Sequence, residues 1–233
     1  MIRNIINKIA EEAKGIKPID KIHILLDPGH SSSLAKKITP GKRTPYLTCG
    51  VEPKLSMYEG DFNREVVKLI SDELRSCGYN VHIIVPEDED ITLGERARRV
   101  NKLCKSYGAS NCILVSVHSN AAGNGRQWLS ARGFSVHVCQ NCSKNSEKMA
   151  NLLFDACAED GHFKMRKPLP YQKYWVNNFY IIKNTNCPAV LSESGFYDNP
   201  EDCAYLLTKE GRQNVANYHI KAIKEYINSL INK

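Results

Sequence analysis

Apolar positions along the chain follow two alternating rhythms. Six short runs are apolar at nearly every position: 23–29 (HILLDPG), 80–85 (NVHIIV), 112–118 (CILVSVH), 134–138 (FSVHV), 179–183 (FYIIK) and 189–194 (AVLSES). Such continuity over so few residues marks strands covered on both faces. Between these runs the apolar positions fall three and four apart. Phe62, Val66, Val67, Ile70, Leu74 and Cys77 make one helical stripe that stops at Gly78. Residues 92–108 open on Thr92 and close on Gly108, residues 143–161 open on Ser143 and close on Gly161, and the last stretch carries Val215, Ile220, Ile223 and Ile227. The alternation predicts an α/β fold: a single domain with a twisted, mostly parallel sheet of about six strands flanked by helices on both faces. Segments 31–58 and 162–178 carry neither rhythm and are read as long loops, which in a compact domain are often functional. Residues 1–20 have an amphipathic pattern of their own, with Ile2, Ile5, Ile6 and Ile9 on one face, and are expected to form a helical extension ahead of a domain over 21–233.

Composition narrows the function classes. Hydrophobic residues make up 42% of the 233 positions and charged residues 24%, enough apolar material for one sizeable core. Lys and Arg outnumber Asp and Glu by 32 to 25, and a formal charge of +7 favours polyanionic partners. The basic residues are scattered apart from 41–45 and 94–99, and neither run resembles a nucleic-acid reading module, so no nucleic-acid partner is expected. The nine cysteines are odd in number and several sit in apolar stripes, which fits free thiols and cytoplasmic synthesis better than a disulfide framework. The N-terminal stretch lacks the apolar core of a signal peptide, and no apolar run of about 18 residues is present, so no stable membrane insertion is expected.

Three of the apolar runs deliver a polar, metal-competent residue to one rim of a parallel sheet: His30 after 23–29, His118 ending 112–118, and Glu193 within 189–194. Glu59 stands just ahead of the first amphipathic helix and could face the same rim. Two imidazoles and a carboxylate form a typical catalytic zinc set that leaves one position to water, and a further carboxylate, Glu193, could take that water's proton. Taken singly each residue has a plainer reading: a hydrogen-bonded rim histidine, a helix-dipole partner for Glu59, a rim carboxylate for Glu193. Convergence is what separates the two. His23, His82 and His137 are read as sheet residues. Cys139 and Cys142 form one CxxC without a second pair at finger spacing. Ser192 and Ser194 do not make a GxSxG elbow, and no phosphate-cradling glycine loop is present.

These segments resemble a known family. ILLDPGH is similar to the opening strand and first zinc histidine of the zinc-dependent N-acetylmuramoyl-L-alanine amidases. YEGDFNREVVKLISDELRSCGYNVHII resembles their glutamate-led first helix and the following strand, and ITLGERARRVNK their Leu…Arg…Asn helix. ILVSVHSNAA resembles the strand with the second histidine, and CPAVLSESGFYDNPED the segment with the catalytic glutamate. Together these cover most of residues 22–230. The resemblance implies one zinc ion held by His30, Glu59 and His118, with Glu193 as the catalytic acid/base. The substrate it implies is peptidoglycan, cut at the amide between N-acetylmuramic acid and the L-alanine of the stem peptide. The chain departs from the family in the interval of 29 positions from His30 to Glu59, longer than the usual glycine-rich link, and in Ser31-Ser32 where a Gly-Gly is expected. Glu52 is therefore a second candidate for the carboxylate ligand. The insertion is expected to wall the substrate groove. Asp27 is read as capping the Pro28-Gly29 turn, with orientation of a zinc histidine as its other possible role. The expected protein is a monomer made without a signal peptide that acts on the cell wall after lysis or holin-type release. The competing readings are another zinc peptidase of carboxypeptidase type and a non-catalytic cell-wall-binding module.

Overall fold

The computed structural model describes residues 21–45 and 55–231. The expected helical extension over 1–20 and the alternative ligand Glu52 lie outside the described residues.

Six strands form one sheet: β1 (His23–Pro28), β2 (Asn80–Ile83), β3 (Cys112–Asn120), β4 (Ser135–Val138), β5 (Trp175–Val176) and β6 (Ala189–Phe196). Their spatial order is β2-β1-β3-β6-β4-β5. Strand β1 is parallel to β2 and β3, and β3 is parallel to β6; only the β4–β6 pair is antiparallel. The helices are α1 (Glu59–Ser76), α2 (Leu93–Tyr107), α3 (Lys144–Asp160), α4 (Tyr180–Lys183), α5 (Pro200–Leu206) and α6 (Lys209–Ile231). The strand period of two sends Ile24 and Leu26 to one face, where they meet the stripes of α1, α3 and α6. It sends Leu25, Leu114 and Leu191 to the other face, against Ala97, Val100 and Cys104 of α2. Every central strand is thus covered twice, which is why its sequence lacks alternation.

The helix boundaries follow local chemistry. The Thr92 side chain accepts from the Glu95 amide, and that of Ser143 from the Ser146 amide. Helix α3 stops at Gly161, which is left-handed at φ 78°. Helix α5 is capped by Asn199, whose side chain accepts from the Glu201 and Asp202 amides.

The run 179–183 is a correction: it was expected as a strand and instead forms the single helical turn α4. Ile181 and Ile182 are both buried while Phe179 and Tyr180 are exposed, a doublet that a helical turn can bury on one side and a strand of period two cannot. The sixth strand is the two-residue β5, inside a segment read as loop. Among the described residues no helix is long and apolar enough to cross a membrane.

Candidate metal centre

Strand β1 ends at Pro28, and two residues later His30 adopts φ 62°, the left-handed region that costs a non-glycine residue about 1–2 kcal/mol. The carbonyl that this conformation turns inward is held twice: Arg96 Nη2 donates to His30 O at 3.0 Å and Arg64 Nη1 at 2.9 Å. Arg96 also donates to Pro28 O and, through Nη1, to Asp27 Oδ1 at 2.7 Å. Ser116 Oγ donates to Asp27 Oδ2. Asp27 therefore does not cap the Pro28-Gly29 turn. It is a buried counter-ion for a buried arginine, and the arginine fixes the backbone that presents His30. Gly29 lies so close to His118 that a Cβ there would stand 2.1 Å from its ring.

His118 lies on β3 beside Glu193 on β6, the two being register partners just before a bulge between His118 and Asn120. Both strands run past these residues, so the polar groups are near the strand ends rather than at them. Glu59 opens α1 and is buried, 1% exposed. Its Oε1 is 3.0 Å from His118 Nδ1, and its Oε2 is 3.3 Å from His30 Nε2. Each of these three side chains offers one ligand atom within 4.8 Å of the others. The structure thus gathers His30, Glu59 and His118 into a possible metal site and sets Glu193 next to it. Among the described residues no other His, Cys, Asp or Glu group is as close, so Cys139 and Cys142 do not take part in one.

The donor set fits a cation. Glu59 Oε2 and Glu193 Oε2 are buried and lack a hydrogen-bond partner, a costly arrangement that a positive ion would relieve. Burial pushes the Glu59 carboxyl up, but the hydrogen bond with His118 and then the close contact with His30 overcome it and hold the group well below the usual carboxylate range. Glu193 has no such partners. Burial drives it up to about 7, with His118 opposing and the Glu59 charge reinforcing. His30 is lowered chiefly by burial, whereas at His118 burial is outweighed by Glu59. A neutral imidazole and an ionised carboxylate are the forms in which these side chains bind metals.

A cavity of about 290 Å³ opens beside the site, lined by His30, Thr39, Thr92, Leu93, His118 and Ile181 among others. Thr39 comes from the insertion, which is stitched down by reciprocal bonds between Ser31 and Thr39 and by Ser33 N to Asp61 Oδ1. The insertion returns toward α1 through an antiparallel bridge of Arg43 with Tyr58 and a bond from Glu59 N to Lys42 O at 3.0 Å. It brings Lys42 Nζ within 3.6 Å of Glu59 Oε2. His137 is buried in β4, where its ring nitrogens meet Ser135 and Asn177.

Arg96, Asn63 and Lys42 are the residues that sequence reasoning missed. Arg96 and Asn63 carried a signal: each sits on the apolar stripe of its helix, Arg96 four positions before Val100 and Asn63 four after Glu59. A polar residue on a buried stripe needs a partner. Asn63 Nδ2 supplies Gly29 O with one. Lys42 carried no comparable signal.

The family model described as N-acetylmuramoyl-L-alanine amidase matches residues 24–225. The chain belongs to this family. It is a peptidoglycan amidase, and its similarity to individual members is low but extended. The endolysin of Bacillus phage SPP1 is 27% identical over 214 residues, covering 88% of this chain and 66% of that protein. The N-acetylmuramoyl-L-alanine amidase AmiA of Escherichia coli (strain K12) is 26% identical over 239 residues, 85% of this chain and 80% of its own. The crystal structure of Ami1 from Mycobacterium smegmatis, an N-acetylmuramyl-L-alanine amidase, superposes with a TM-score of 0.72 at 21% identity, covering 91% of this chain and 99% of that one. That last likeness speaks for the fold.

Proposed function

We propose that this amidase binds one zinc ion through His30, Glu59 and His118 and uses Glu193 to hydrolyse the amide joining N-acetylmuramic acid to the L-alanine of the stem peptide. The observation that carries the reading is the pair of buried orphan oxygens, one on Glu59 between the two converging imidazoles and one on Glu193 of the strand beside His118. When bound, the ion supplies Lewis acidity toward the scissile carbonyl and makes water easier to deprotonate. The residues of the chain do the rest. Glu193 Oε2 accepts the proton of the attacking water, and the water oxygen adds to the carbonyl carbon. Glu193 then returns the proton to the alanine nitrogen as the carbon–nitrogen bond breaks, leaving a lactyl carboxylic acid and an amine, which exchange a proton to become carboxylate and ammonium. A carboxyl that burial raises above the usual carboxylate range is better able to hold the proton between the two halves of that exchange. Asp27, Arg96 and Asn63 hold Gly29 and His30 in place, so that the first imidazole is presented by rigid backbone. Over this set 21–233 would act as the catalytic domain. A purely wall-binding role would have no use for the orphaned Glu193.

The test is digestion of purified sacculi with and without a chelator, read by mass spectrometry. Free stem peptides beginning at L-alanine, released only without the chelator and restored by zinc, are the expected products. Peptide fragments cut within the stem would instead indicate a peptidase, and release that ignores the chelator would remove the metal from the mechanism.

A further inference from the structure

The longer link between His30 and Glu59 does more than bound the groove. Its backbone pairs with the residues that lead into α1: Thr44 N donates to Met57 O at 2.9 Å, Met57 N to Thr44 Oγ1, and Glu59 N to Lys42 O. Tyr197, at the end of β6, donates its hydroxyl to Gly41 O at 3.3 Å. Residues 41–44 are therefore tied both to the start of the ligand-bearing helix and to the end of the strand carrying Glu193. From this anchored backbone the Lys42 side chain, 38% exposed, places its ammonium 3.6 Å from Glu59 Oε2. That oxygen lies 3.3 Å from His30 Nε2 without a well-formed hydrogen bond, and it belongs to the possible metal site.

We propose that Lys42 is a tethered cation competing with the metal ion for the Glu59 carboxylate, so that the insertion sets how tightly this amidase holds its metal. The proposal rests on the metal site of the preceding section. The Glu59 carboxylate is buried, and a buried charge left without compensation is expensive. Lys42 places a formal positive charge beside Oε2, the oxygen that His118 does not bond. A divalent ion entering between His30, Glu59 and His118 takes over that compensation and repels the ammonium, which must withdraw toward solvent. Its partial exposure gives it somewhere to go, so the penalty is modest: a residual repulsion between a doubly charged ion and a nearby ammonium in a well-screened medium corresponds to roughly tenfold in affinity.

The test compares wild type, Lys42→Met and Lys42→Arg in titrations with zinc against a chromophoric chelator at one fixed pH, with no substrate present. Lys42→Met is expected to bind about tenfold more tightly than wild type, and Lys42→Arg, which keeps the charge, to stay within about threefold of wild type. The metal-free melting temperature of Lys42→Met should fall, and zinc should raise it by more than it raises wild type. If metal-free Lys42→Met does not fold, the zinc-loaded protein decides through release to excess chelator: slower release than wild type supports the competition, and equal or faster release overturns it. Equal or weaker zinc affinity in Lys42→Met, or Lys42→Arg binding as tightly as Lys42→Met, overturns the proposal while leaving the metal site intact. A wild-type protein that takes up no zinc overturns the site itself.

Discussion

Gly29→Ala isolates one geometric requirement of the site, because the backbone at position 29 accepts an alanine and the space does not. Gly29 has no positive φ, so a side chain meets no intrinsic conformational barrier there. The added Cβ would instead stand 2.1, 2.4 and 2.5 Å from three atoms of the His118 ring. Ordinary contact begins at 3.4 Å, so the ring must retreat by about 1.3 Å or the β1 end must shift by as much. Neither is free to do so. Gly29 N donates to Val117 O and Gly29 O accepts from Asn63, while the ring is mostly buried and hydrogen-bonded to Glu59. A misplacement of about 1 Å in a reacting constellation costs on the order of a hundredfold in rate, and a displaced ligand also weakens metal binding by about ten- to a hundredfold. The assay is zinc affinity by chelator competition together with turnover of a soluble muropeptide, with far-UV circular dichroism to establish that the variant is folded. Alanine at 29 with zinc affinity and turnover within threefold of wild type would refute the claim that this close approach fixes His118.

Three other outcomes can be checked separately. Glu193→Gln should retain wild-type zinc content by elemental analysis yet lose at least about a hundredfold in muropeptide turnover, since the amide cannot accept the proton; normal turnover removes Glu193 from the mechanism. Arg96→Met leaves Asp27 buried without its counter-ion and should cost about 3–5 kcal/mol in urea unfolding, so a loss below about 1 kcal/mol would mean the pair is not what holds the His30 backbone. His219 gives an acid dependence: its Nδ1–H donates to Val215 O, its Nε2 accepts from Ser192 Oγ, and burial lowers its pKa from 6.5 to about 4. The unfolded chain therefore binds the extra proton between pH 6.5 and 4, and stability falls as pH drops through that window. The share due to this residue reaches about 2.5 kcal/mol at pH 4.5, read from urea midpoints of wild type and His219→Gln at pH 7.5 and 4.5, and parallel pH dependences would rule it out.

How much of this was legible in the sequence depended on whether the signal was local. Strands β1, β3 and β6 could be read because continuous burial on two faces leaves an unbroken apolar run. Their parallel adjacency then made the meeting of His30 and His118 a topological consequence. The run 179–183 misled because a short apolar doublet has no period, and only the packing of Ile181 and Ile182 against Leu114 and Leu191 makes it a helical turn. Arg96 read as one member of a charge run, although its place on the buried stripe of α2 was a usable hint. Asp27 could not be assigned without Arg96, its partner 69 positions away. Lys42 was beyond sequence reasoning altogether, since its position depends on pairing between 42–44 and 57–59 across a link that has no periodicity.

The two carboxylates at the centre show why residue type alone could not divide the labour between them. Glu59 and Glu193 are both glutamates, and each carries a buried, orphaned oxygen. What separates them is the backbone that delivers each. Glu59 opens a helix, where the dipole favours negative charge, and it arrives between two imidazoles, one hydrogen-bonded to it and the other at ion-pair distance. Glu193 comes in on a strand beside His118 without such bonds, so burial dominates and the neighbouring Glu59 charge adds to it. One group is driven to stay ionised, the form in which a carboxylate binds metal; the other is raised by burial, the direction that suits proton transfer. Two acids pushed apart in this way are fitted to different tasks. Here the division follows from topology: exchanging the two environments would require exchanging a helix start for a strand.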